Sequence, residues 1–84
     1  MLAVKGFTHM DQATIAESLA RETLAQAERT RALGQTRHGE GEIDGGALTR
    51  LDAAVSAARA ALADASAARA RAYLDLILAA GGRA

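Results

Sequence analysis

The sequence predicts an all-α fold, an antiparallel α-helical coiled-coil hairpin, on three observations. Residues 47–80 hold no Gly or Pro and repeat a heptad without a slip. Four glycines crowd into residues 38–46. Residues 11–37 alternate apolar and charged positions at helical spacing. Two long helices joined by a short break pack against each other antiparallel.

Composition narrows the alternatives. The chain has 84 residues, enough for one small domain. Ala supplies 23 of them, against 16 Leu, Ile, Val and Phe together. Full burial of a Leu contributes about 2 kcal/mol and an Ala far less, so the hairpin's own core is thin. One Phe, one Tyr and few β-branched residues argue against a sandwich or barrel. The absence of Cys excludes a disulfide scaffold and a CxxC zinc module. Ten basic and ten acidic residues leave no basic excess for nucleic acid. No apolar run is long enough for a membrane-spanning helix, and the first ten residues do not read as a signal peptide.

Taken in order, residues 1–10 show no clear period and predict a loose start. The first helix is expected over 11–37, with Asp11 as one candidate cap. Thr14-Ile15-Ala16-Glu17 offers another, in capping-box form. On a helical wheel Ala13, Ile15, Ala16, Leu19, Ala20, Thr23, Leu24 and Ala27 share one half. Glu17, Arg21, Glu22, Glu28 and Arg29 share the other. Glu17 and Arg21 have the favourable i,i+4 spacing.

The turn is expected over 38–46, because each helical Gly costs about 1 kcal/mol against Ala. Its carboxylates, Glu40, Glu42 and Asp44, have no fixed cation in this reading. Their spacing does not fit a calcium loop, and the glycines fit neither the dinucleotide nor the P-loop fingerprint. A solvated acidic turn is the expectation, with no metal and no cofactor.

The second helix is expected over 47–80. Leu48, Val55, Leu62, Arg69 and Leu76 take the a positions. Leu51, Ala58, Ala65, Ala72 and Ala79 take the d positions. Gly81-Gly82 ends the helix, making 11–82 the hairpin and 83–84 a tail. Tyr73, Leu76 and Ile77 are assigned to the seam, and Leu74 and Leu78 to another face. An isolated hairpin would leave one of these faces bare, so further helices or further copies of the chain are expected to cover it.

No Ser–His pair stands out as nucleophile and base, and the chain does not read as an enzyme. Arg69 is the one charged residue among the ten a and d positions. Either its stem snorkels along the seam, or it sets register through a carboxylate on a neighbouring helix.

The ordered combination of His38-Gly39-Glu40-Gly41, Glu42-Ile43-Asp44, Leu51-Asp52-Ala53 and the ending Ala68 to Gly82 resembles the TolC-like outer membrane efflux proteins. It is similar to the C-terminal helical hairpin of that family. His38 stands in a slot that is Tyr in the family, and Gly45-Gly46 lengthens the spacing to Asp52. The resemblance implies a fragment of the periplasmic α-helical tunnel, a passive conduit in the outer membrane and periplasm. It implies a periplasmic adaptor and an inner-membrane pump as partners. By the same resemblance His38, Gly41 and Asp44 form the adaptor-contact turn, and Asp52 is the carboxylate of the periplasmic entrance. Two alternatives remain at this point. One is the coiled-coil hairpin of a periplasmic adaptor protein. The other is a stand-alone, self-associating hairpin that acts as an interaction module.

Overall fold

The computed structural model describes the backbone of residues 2–81 and the side chains of residues 10–81. Two helices make up the fold: α1, Leu2–Gly39, and α2, Gly45–Gly81. They form a rod of 65 × 14 × 12 Å. Partners across the seam have opposed numbering, Glu17 with Arg69 and Arg31 with Asp52, so the helices run antiparallel. The all-α hairpin is what the residue pattern predicts.

The α2 heptad becomes the seam. Val55, Ala58 and Ala72 are its buried apolar residues, with Val55 2% and Ala72 1% exposed. Leu48, Leu51, Leu62, Ala65 and Leu76 are half-buried. Ala at alternate layers lets α1 approach closely, and this explains why residues so small are covered.

The α1 seam differs from the expected wheel. Its covered positions include Met10, Ala13, Glu17, Ala20, Leu24, Ala27, Arg31 and Gly34, at steps of three and four. Glu17, expected on the polar face, is 8% exposed, while Ile15, expected inside, is 60% exposed. Across the seam Arg69 occupies the facing layer, its Nε 3.8 Å from the Glu17 carboxylate. Gly34 is buried at the turn end. Leu51 Cδ1 fills the place where a Cβ on Gly34 would stand, so the glycine admits the leucine to the seam.

The boundaries also move. α1 begins at Leu2, ahead of the loose start expected for 1–10. Thr14 therefore lies mid-helix, where its hydroxyl donates to the Met10 carbonyl at 2.9 Å instead of capping. The connection shrinks from 38–46 to residues 40–44. The cause is the economy of its two caps. Gly41, at φ +77°, sits in the left-handed region after α1. Its N–H donates to the His38 carbonyl at 3.0 Å, and the Glu42 N–H donates to Arg37 at 2.8 Å. These two bonds make a Schellman motif. Asp44 then caps α2, accepting the Ala47 N–H on Oδ1 at 2.7 Å. Gly45 and Gly46 fall in the first turn of α2, so both belong to the helix and not to the turn. Met1 and residues 82–84, including the predicted tail, lie outside the described residues.

The two caps give a direct prediction. Gly41→Ala should destabilise the hairpin by about 1 kcal/mol, since Ala resists a positive φ. Asp44→Ala should cost about 1 kcal/mol through the lost cap. Urea melts followed by circular dichroism read both, and an unchanged midpoint for either variant would refute its cap.

Candidate functional site

The chemistry-bearing residues fall into two groups, one at the turn and one along the shaft, in the half of the rod away from the turn. At the turn end, the Schellman motif and the Asp44 cap hold His38, Gly41 and Asp44 on one short connection. All three are exposed. Arg37 Nε lies 3.9 Å from Glu42 Oε2, so the acidic turn does contain a cation, contrary to the expectation. Ile43 stands just before the cap with Leu48 four residues beyond it, the spacing of a hydrophobic staple. Leu33, Gly34, Ile43, Ala47 and Leu51 line a shallow groove of about 320 Å³, with Arg37 and Arg50 at its rim.

Asp52 does not join the turn. It lies eight residues beyond Asp44, about 12 Å along α2. There its Oδ1 accepts a hydrogen bond from Arg31 Nε. Both side chains are more than a third exposed, so the pair contributes at most about 1 kcal/mol.

Near the middle of α1, Glu17 lies at the centre of an ionic cluster. Arg21 Nη2 is 3.3 Å from its Oε1, the i,i+4 pair read from the sequence. Arg69 Nε is 3.8 Å from the same oxygen, across the seam. The Glu17 side chain is 10% exposed and that of Arg69 47%. The carboxylate is thus the covered member, and the two guanidinium groups reach it from the edge.

Each outer face carries exposed apolar residues in this same half of the rod. Ile15 stands two residues from both Ala13 and Glu17, about 200° round α1 from each, and so points directly away from the seam. Leu74 has the same relation to Ala72 and Leu76 on α2. Leu19 and Leu78 flank them, and all four are exposed. Tyr73 and Ile77, assigned to the seam from sequence, are exposed as well. Their positions lie one residue past Ala72 and Leu76, which already fill those layers.

Among the described residues, no group of three His, Asp or Glu is placed to hold a metal ion. No described helix is long and apolar enough to cross a membrane. The chain matches no family model, no curated protein and no solved structure.

Sequence reasoning missed Glu17, Arg31 and Gly34. One signal was present: the steps 10, 13, 17, 20, 24, 27, 31, 34 keep an unbroken heptad rhythm. A Gly inside a helix is a second signal, since it costs stability unless a neighbour needs the space.

Proposed function

We propose that the hairpin is a non-catalytic wall element of a helical tunnel, of the kind that outer membrane efflux channels place in the periplasm. One observation carries this reading. The outer faces of both helices carry exposed apolar residues, Ile15 and Leu74, in the same half of the rod. A hairpin that packs only within itself has no use for such faces. One built into a ring of side-by-side helices needs an apolar residue on each outer edge. The order of motifs from His38 to Gly82 supports the same reading. In it, the turn at His38, Gly41 and Asp44 meets a periplasmic adaptor, which couples to an inner-membrane pump. Asp52, held by Arg31, lies behind the turn toward the tunnel mouth.

Photo-cross-linking tests this. A photoreactive residue at His38, in the full chain mixed with a purified periplasmic adaptor, should cross-link to the adaptor's hairpin. The same residue at Glu28, exposed on the helix shaft, should not. Equal labelling from both positions, or none from His38, would overturn the reading.

A self-associating hairpin that serves as an interaction module is the second reading. The outer face of α2 favours it, because the exposed residues there form a heptad row of their own.

A further inference from the structure

We propose that the outer face of α2 is a two-fold interface, on which a second copy of this chain docks with its own α2 antiparallel. The inference rests on the second reading, that of a self-associating hairpin, and it competes with the tunnel reading for the Leu74 face. From Ala53 to Leu78, positions 53, 57, 60, 64, 67, 71, 74 and 78 repeat at steps of four and three, the spacing of a coiled-coil seam. Every one of them is exposed. α2 thus carries two seams, one facing α1 and one facing solvent.

The solvent-facing row is uneven along its length, and the unevenness selects the occupant. Its first half is small, from Ala53 through Ala60, and its last residues are Leu74 and Leu78. A parallel copy would set Leu on Leu and Ala on Ala, leaving a gap over the small half. An antiparallel copy seats Leu74 over Ala57 of the second copy and Leu78 over Ala53 of the second copy. Large then meets small in each layer, and helices can approach closely.

The charges agree with this register. Asp64 and Arg71 are the charged members of the row in its central part. In the antiparallel register Arg71 lies over Ala60 of the second copy, one helical turn from that copy's Asp64. The two-fold axis repeats the contact, so each carboxylate gains an arginine. Self-complementarity of this kind is what an isologous interface requires. Neither Asp64 nor Arg71 forms an ion pair within the hairpin among the described residues.

Sedimentation equilibrium of the full chain should show a monomer–dimer equilibrium. Asp64→Arg and Arg71→Asp should each weaken dimerisation about tenfold by placing like charges together. The charge-swapped double variant should restore it. Leu74→Glu should abolish the dimer with the helical signal retained, while Ile15→Glu, on the outer face of α1, should leave it intact. Orientation is read by disulfides, since the chain has no Cys. Ala67→Cys, beside the two-fold axis, should oxidise to a cross-linked dimer, and Leu78→Cys should not. A monomer at every concentration, a swap that fails to rescue, or cross-linking through Leu78→Cys would overturn the proposal. A dimer with no His38 cross-link to an adaptor would remove the tunnel reading alone. Adaptor cross-linking by a strictly monomeric chain would do the reverse.

Discussion

Val55→Asp should abolish the cooperative fold. Val55 lies in the turn-proximal part of the α2 seam and is 2% exposed. A carboxylate there has no cation designed to meet it, because Arg31 is already engaged by Asp52. An uncompensated buried charge costs about 3–5 kcal/mol. A chain of this length has about 4–12 kcal/mol of total stability, and an Ala-rich seam places it low in that range. The expected result is loss of most helical signal by circular dichroism at room temperature. Val55→Ala supplies the comparison: it removes two methyl groups and should cost about 1–2 kcal/mol, leaving a folded hairpin. A Val55→Asp variant that melts cooperatively near the wild-type temperature would mean that the α2 heptad is not the seam.

The two helices were unequally legible, for a physical reason. On α2 the seam is written in the residues' own hydrophobicity, Leu48, Leu51, Val55, Leu62 and Leu76 with Ala between. Periodicity alone therefore finds it. On α1 the seam includes Glu17, Arg31 and Gly34, whose places depend on Arg69, Asp52 and Leu51 across the interface. A wheel drawn from one helix has no access to those partners. It assigned Ile15 and Leu19 to the core, and both are exposed because their apolar surface faces away from α2. The turn shows the same division. Its existence follows from four glycines, but its length depends on which glycine takes positive φ. Gly41 does, and Asp44 caps immediately after, so Gly45 and Gly46 return to the helix. At the candidate site, the turn residues are together because they are neighbours in sequence. The Glu17–Arg69 pair, 52 positions apart, became visible only in three dimensions.

That pair yields the second large effect, through a double-mutant cycle. Arg69→Leu completes the apolar row of Leu48, Val55, Leu62 and Leu76, and on hydrophobicity alone it should stabilise the hairpin. The structure predicts the opposite. Glu17 would keep its covered position with Arg21 as its remaining cation, and Arg21 is bound from its own helix, so it gives no inter-helix attraction. The expected loss is about 1–2 kcal/mol, below the figure for a fully buried pair because Arg69 is 47% exposed. Glu17→Leu alone should cost less, since Arg69 can swing into solvent along its flexible stem. The double variant, Glu17→Leu with Arg69→Leu, should be at least as stable as the wild type, because apolar residues of similar size commonly outdo an ion pair in a seam. Urea denaturation of the four proteins gives the coupling energy. Register is read separately, by cysteine pairs placed across the seam at the turn end and at the open end. If the pair fixes register, the double variant gains stability yet forms disulfides in shifted registers. A single register throughout, with additive energies, would show that Arg69 snorkels past Glu17 and that the Ala layers alone align the helices.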